Sequence, residues 1–244
     1  MNYVIIIAGG VGNRVGAPIP KQFVEVLGKP IIAYTMEHFQ NHPEIDAIEL
    51  VCVDGYQEHL QNIANKYGIT KVFKIVKGGS EYERSIMNGV ASLEGIAQHN
   101  DVIMIHWSAS PFLTEDIISD NIRVCKEKGN AISASYSYLL YGSNDGDCAK
   151  KAINRESFMT LSAPQSFRYE VIVDLYHQVE EKNLFEKVDE RHTTVFMTEL
   201  GIPMYFSKGS HTNIKITTKE DILLFEGYAL LKERNKINNN TESF

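Results

Sequence analysis

The 244-residue sequence predicts an α/β fold, a mostly parallel sheet with helices on both faces and a β-arm protruding from it at about 131–165. Three observations predict this. Short, near-continuous apolar runs such as Val4-Ile5-Ile6-Ile7 and Val102-Ile103-Met104-Ile105 read as strands covered on both faces. Longer amphipathic runs alternate with them, the pattern of βα repeats around a parallel sheet. After about residue 131 the rhythm breaks at a polar turn cluster, Tyr141-Gly-Ser-Asn-Asp-Gly-Asp147.

In order, strands are expected at 3–8, 47–53, 72–76 and 101–106, with helices near 30–41, 56–67, 82–96 and 115–128. Ligands of such sheets sit beyond the carboxyl ends of the strands, so the loops at 9–21, 54–55, 77–81 and 106–111 should share one functional edge. Ala131 to Leu140 reads as a long strand that residues 148–154 return as a second, giving the arm. Its Tyr136, Tyr138 and Tyr141 leave two readings open, packing on a partner subunit or an internal hairpin. Helices resume at 168–182, and Thr218-Lys-Glu-Asp221 starts the last one, to about 235, with a capping-box pattern. No repeat or linker divides the chain, so one domain over 1–244 is expected.

A net charge of −7 argues against a broad nucleic-acid-binding surface. The three cysteines, Cys52, Cys125 and Cys148, form neither a Cys-x-x-Cys pair nor a zinc spacing, and predict a reduced, cytoplasmic protein. No run has the length of a membrane span.

The densest chemistry lies in the first 25 residues. A buried strand enters a glycine-rich turn, Ala8-Gly-Gly-Val-Gly-Asn-Arg14, followed by Pro20-Lys-Gln-Phe23. Gly9, Gly10 and Gly12 let backbone N–H groups converge on an anion, and Arg14 and Lys21 can neutralise phosphate charge. The spacing is neither a Walker loop, since Pro30 follows the Gly28-Lys29 pair, nor a dinucleotide fingerprint, since Gly10, Gly12 and Gly16 are one residue too long. A plain glycine-rich βα turn with exposed basic residues is the alternative.

These segments, with Gly28-Lys-Pro-Ile31, Gly78-Gly79, Arg84-Ser-Ile-Met-Asn-Gly89, Ala163-Pro-Gln-Ser-Phe167 and Asn213-Ile-Lys-Ile-Thr-Thr218, resemble in content and order the cytidylyltransferases of 2-C-methyl-D-erythritol 4-phosphate and ribitol 5-phosphate. The resemblance spans nearly the whole chain. It implies a Rossmann-like nucleotidyltransferase fold, CTP and a phosphorylated acceptor as substrates, Mg2+ held mainly by the triphosphate with no protein metal ligand, and a homodimer through the β-arm. Arg14, Lys21 and Lys215 would be the catalytic cations. Ala8, Gly9, Gly10, Gly12, Gly79, Ser80, Ser85 and Ser108 would bind the nucleotide. Two of these have plainer readings: a helix-start hydroxyl for Ser85 and a solvated strand lysine for Lys215.

The chain departs from the family at several places. His106-Trp-Ser-Ala-Ser-Pro111 stands where the family carries His-Asp-Ala-Ala-Arg-Pro, so Trp107 replaces an aspartate and Ser110 an arginine. Arg191-His192 stands for Thr-Asp, Ala163 for a threonine, Tyr138-Leu139-Leu140 for the arm's Asp-Thr, and Tyr82 for the arginine of the Gly-Gly loop. The changes fall mostly in the expected acceptor pocket, where Trp107, Arg155 and Arg191 are the candidate contacts. The implied product is CDP-linked, from an acceptor other than methylerythritol phosphate, of the kind that feeds surface polysaccharides. Two other functions stay open, a degenerate nucleotide-binding homologue and a sugar-phosphate nucleotidyltransferase using another base.

Overall fold

The structure is a computed structural model that describes residues 1–10 and 19–241, with side chains described to residue 234. The first half runs β1 (Asn2–Ala8), a short hairpin of β2 (Glu25–Val26) and β3 (Lys29–Pro30), α1 (Ile31–Asn41), β4 (Ala47–Cys52), α2 (Gln57–Lys66), β5 (Val72–Lys77), α3 (Tyr82–Ser92), β6 (Val102–Trp107) and α4 (Glu115–Lys128). The second half runs β7 (Asn130–Tyr136), β8 (Tyr141–Gly142), β9 (Ala152–Ile153), β10 (Met159–Arg168), α5 (Tyr169–Glu181), α6 (Thr193–Glu199), β11 (Phe206–Lys208) and α7 (Lys219–Thr241).

Seven strands form one sheet in the order β11-β7-β10-β6-β1-β4-β5. Only β10 runs against its neighbours. Successive side chains of a strand point to opposite faces, and β1 shows the consequence. Val4, Ile6 and Ala8 pack with α1, α2 and α4, through Met36, Phe39, Leu60 and Ile118. Tyr3, Ile5 and Ile7 pack with α3, α5 and α6, through Ile86, Leu175 and Phe196. A smaller core, with Ile31, Phe112, Ile216 and Phe225, seats α7 beside the start of α1.

The expected β-arm is corrected. Residues 130–136 belong to the main sheet, and the strand that pairs with them is β10, not 148–154. Between Tyr136 and Met159 an exposed excursion holds only a two-residue ladder, Tyr141 opposite Ile153 and Gly142 opposite Ala152. Residues 143–151 are polar and rich in turn formers, so they have no apolar face to bury along a ladder. β10 itself was not expected, because Pro164 within a strand-like run argues against a central strand. The sheet absorbs it as a register shift between Ser162 and Gln165. The capping box is present: Thr218 Oγ1 accepts from Asp221 N at 3.3 Å, and the Asp221 carboxylate accepts from Thr218 N at 2.8 Å.

Candidate active site

Beyond the carboxyl ends of β1, β4 and β5 lies a cleft of about 460 Å³, lined by Gly9, Gly10, Asp54, Lys77 and residues 78–82. Three of the four expected loops therefore meet at one edge, and the fourth joins through Trp107. Part of its wall is glycine backbone, at Gly9, Gly10, Gly78 and Gly79. A Cβ on Gly79 would lie 2.4 Å from Arg84 Cβ and 2.7 Å from its carbonyl carbon, and one on Gly9 would lie 2.9 Å from Ser85 Oγ. The glycines permit close approach between two loops, while the N–H groups of Gly78 and Gly79 are held within the protein by Cys52 O at 2.7 Å and Ser85 Oγ at 3.0 Å.

Two side chains lock these loops. Ser85 Oγ accepts from Gly79 N at 3.0 Å and donates to Glu81 O at 3.0 Å. Its hydroxyl thus shapes the 78–81 loop, closer to the helix-start reading than to a free ligand contact. Gln22, with 1% of its surface exposed, donates to the carbonyls of Ala8 at 2.9 Å and Gly10 at 3.0 Å. It fixes the exit of β1, a role not expected although it stands inside the Pro20-Lys-Gln-Phe23 segment.

Lys21 and Lys215 come from distant parts of the chain and are linked through one segment. Lys21 Nζ donates to Ile216 O at 2.6 Å, tying the N-terminal loop to the segment that carries Lys215. Ile216 N in turn donates to Ala109 O at 2.8 Å, so the same segment is stitched to the loop after β6. Lys215 Nζ lies 4.8 Å from the Trp107 ring centre and 5.2 Å from that of Tyr82. Trp107 Nε1 donates to the Tyr82 hydroxyl at 2.5 Å, and His192 stacks on Tyr82 at 5.8 Å. The two rings place Lys215 through cation–π attraction, which is stronger where water is thin. Burial and the neighbouring Lys215 charge push the His192 pKa down, which favours a neutral imidazole. Tyr82 and His192 enter this cluster without having been candidates.

The remaining candidates sit as follows. Ser80 lines the cleft. Ser108 is buried, its N–H donating to Ile7 O at 3.2 Å and its carbonyl accepting from Thr35 Oγ1 at 2.9 Å. Arg191 reaches the cleft rim through Glu81, Nη1 to Oε1 at 2.5 Å, and donates from Nε to Phe185 O. Arg155 lies on the exposed excursion and donates to Tyr138 O at 3.0 Å. No contact among the described residues joins Arg155 to Trp107 or Arg191, so the three expected acceptor contacts are not gathered within one chain. Gly12 and Arg14 lie outside the described residues. His106 is wholly enclosed, its Nε2 3.0 Å from Ser110 O, and burial pulls its pKa down to about 4. It is a neutral support for the loop after β6.

Comparison with known proteins decides the lineage. A profile of the 2-C-methyl-D-erythritol 4-phosphate cytidylyltransferase (IspD) family matches residues 2–231. The chain belongs to the IspD family. It is 39% identical over 230 residues to a ribitol-5-phosphate cytidylyltransferase of Lacticaseibacillus paracasei, covering 94% of this chain and 98% of that one. It is 37% identical over 226 residues to a 2-C-methyl-D-erythritol 4-phosphate cytidylyltransferase of Clostridium botulinum, with coverages of 92% and 96%. Its fold is similar to the crystal structure of 4-diphosphocytidyl-2C-methyl-D-erythritol synthase from Anaerococcus prevotii, TM-score 0.77 at 24% identity over 94% of this chain and 98% of that one. The IspD match takes in the whole cleft and the Lys215 segment together, and it ends within α7.

Proposed function

We propose that this IspD-family chain is a cytidylyltransferase that joins CTP to a phosphorylated small polyol, forming a CDP-linked product and pyrophosphate. The observation that carries the reading is that Lys21 is tied to the segment carrying Lys215, and Lys215 lies over the ring of Tyr82, which lines a cleft with Gly9, Gly10, Gly78 and Gly79 at the sheet's carboxyl edge. An oxygen of the acceptor phosphate attacks the α-phosphorus of CTP. The new P–O bond forms as the bond to the pyrophosphate oxygen breaks, and the leaving group departs in line. The attacking phosphate is already ionised, so no side-chain base is needed. The protein supplies position and positive charge, Lys21 and Arg14 along the triphosphate and Lys215 at the reacting phosphorus. Gly9, Gly10 and Gly12 with Ala8 shape the triphosphate cradle, and Gly79, Ser80, Ser85 and Ser108 frame the nucleoside side.

Mg2+ fits this donor set as a partner of the triphosphate. The carboxylates lining the cleft are each engaged with a cation, Asp54 with Lys77 at 2.7 Å and Glu81 with Arg191 at 2.5 Å. Mg2+ characteristically combines phosphate oxygens, water and few carboxylates. When bound with the nucleotide it offsets phosphate charge.

The wall expected to hold the acceptor is aromatic. Trp107, held by the Tyr82 hydroxyl, offers a flat ring suited to the C–H face of a polyol, and Arg191 a cation at the rim for its phosphate. This favours an acceptor of the ribitol 5-phosphate kind over methylerythritol phosphate. Arg155 serves the acceptor only if the excursion lies against another subunit. The exposure of Tyr138, Leu139 and Leu140, at 71%, 69% and 87%, supports a homodimer through that excursion. A reduced cytoplasmic setting suits Cys52 and Cys125, whose burial raises their pKa to about 11 and about 12 and leaves them poor nucleophiles. No described helix is long and apolar enough to cross a membrane.

The test is incubation with CTP, Mg2+ and a panel of phosphorylated linear polyols, read by mass spectrometry of CDP adducts and by pyrophosphate release. A CDP-pentitol formed in preference to the methylerythritol product supports the reading. Binding of CTP without turnover on any acceptor would instead favour the degenerate homologue. Equal use of UTP or ATP would favour the sugar-phosphate alternative.

A further inference from the structure

Helix α7 is apolar on two sides, and only one is covered by the described residues. Phe225 and Ala229 are buried in the small core with Ile222 and Tyr228 packed beside them. The opposite side exposes Leu223, Leu224, Leu230 and Leu231 at 68%, 61%, 50% and 57%. A helix with apolar residues all round is normally covered on every side.

The exposed side has an internal symmetry centred on Gly227. Three and four residues away in each direction stand the leucine pairs 223/224 and 230/231. Seven residues away stand Glu220 on one side and Arg234 on the other, both exposed. Offsets of three, four and seven all return to one helical stripe. Reversing the helix direction maps leucines onto leucines and exchanges the acid with the base. Gly227 is unexplained within the chain: it sits in a helix interior, where glycine is unfavourable, and a Cβ there would meet nothing within 4 Å.

We propose that this stripe is a self-association surface, on which α7 of a second copy lies antiparallel about a two-fold axis through Gly227. The glycines let the two backbones approach at the centre, the leucine pairs interdigitate on either side, and Glu220 of each copy meets Arg234 of the other. At 1.5 Å per residue those charges sit about 10 Å from the crossing, where a shallow crossing keeps them in reach. A parallel pair would oppose like charges, so the charge pattern selects the antiparallel one. Hydrogen bonds from its own backbone N–H and from the Thr218 hydroxyl at the helix start lower the Glu220 pKa and favour the carboxylate. One helix pair of this length buries less than the roughly 1,200 Å² of a stable complex, so the association is weak and concentration-dependent. It is separate from any association through the 137–158 excursion.

Sedimentation velocity of the full chain over about a hundredfold concentration range tests this, beside the variants Gly227→Leu, Glu220→Arg, Arg234→Glu and the double Glu220→Arg/Arg234→Glu. The wild type should double in mass as concentration rises. Gly227→Leu should abolish the doubling while far-UV circular dichroism stays native. Each single charge swap should weaken association about tenfold, since it replaces attraction by repulsion at both ends. The double swap should restore it. Repeating the series in Leu140→Asp, which disrupts association through the excursion, should leave the pattern intact. A wild type whose mass does not double overturns the proposal, as do singles that sediment like wild type or a folded double swap that fails to recover.

Discussion

Glu83 is buried where α3, α5 and α6 meet, and replacing it by glutamine should change how stability depends on pH. The carboxylate accepts from Tyr176 Oη at 2.6 Å, Thr193 N at 3.1 Å and Thr193 Oγ1 at 3.0 Å. Those bonds favour the ionised form, yet burial outweighs them and raises the pKa from 4.5 to about 7. Between these values the folded carboxyl keeps a proton that the unfolded chain has released. Its contribution is therefore fully present below pH 4.5 and is lost as pH rises through 7. The displacement corresponds to about 3 kcal/mol at most. Glu49 acts in the same direction, raised to about 7 by burial although Ser92 Oγ donates to it at 2.7 Å. His106, depressed to about 4, acts oppositely, its contribution lost as pH falls from 6.5 through 4. Subtracting wild type from Glu83→Gln isolates one group, because glutamine mimics the protonated acid and the hydroxyls of Tyr176 and Thr193 can turn to accept. Urea denaturation should be followed by circular dichroism and by the fluorescence of Trp107, the chain's single tryptophan. The difference should be near zero at pH 4.5 and approach 3 kcal/mol in favour of the variant at pH 8. A difference that stays constant from pH 5 to pH 8, or a wild type that is the more stable at pH 8, would refute the reasoning.

Gln22→Ala should remove the side-chain donor shared by the Ala8 and Gly10 carbonyls at the cleft, leaving Ala8 O with Val53 N alone, and lower kcat/KM for CTP by about tenfold in initial-rate assays; an unchanged value removes Gln22 from the site. Gly79→Ala forces the 78–81 loop away from Arg84, so CTP affinity measured by calorimetry should fall at least about tenfold, with native circular dichroism retained. Lys215→Met should lower kcat by about a hundredfold or more with KM for CTP little changed, and loss of CTP binding instead would make Lys215 a ground-state contact. Tyr82→Phe keeps the ring but removes the acceptor of the Trp107 bond; it should lower kcat/KM for the polyol phosphate several-fold, by about 1 kcal/mol, and leave CTP affinity intact.

Much of the fold was legible because its signals are local. Val4 to Ile7 and Val102 to Ile105 read as covered strands, and the amphipathic runs between them became α1 to α4 within a few residues of expectation. The glycine cluster and Lys21 could be placed at a strand's carboxyl end because βα order fixes that edge. β10 was hidden by Pro164. β11 and α6 were hidden for another reason: they are short and held by distant partners. Asn130 Nδ2 donates to Pro203 O at 3.0 Å and its Oδ1 accepts from Tyr205 N at 3.1 Å, drawing β11 onto the sheet. Asn121 Nδ2 adds a bond to Ser207 Oγ at 2.7 Å.

By itself the sequence determined the α/β layering, the edge on which a phosphate could be held and the lineage that its ordered motifs carry. Periodicity, glycine placement and residue type suffice for these, since each depends on a few neighbouring residues. Tertiary structure alone decided that Lys21 lies against the Lys215 segment, that Tyr82 and Trp107 join over that lysine, and that Arg155 is kept apart from both. Those facts depend on pairs separated by tens to hundreds of residues, such as Lys21 with Ile216. Nothing along the chain records which ring a cation will meet; only the packing of α3, the loop after β6 and the segment before α7 does so.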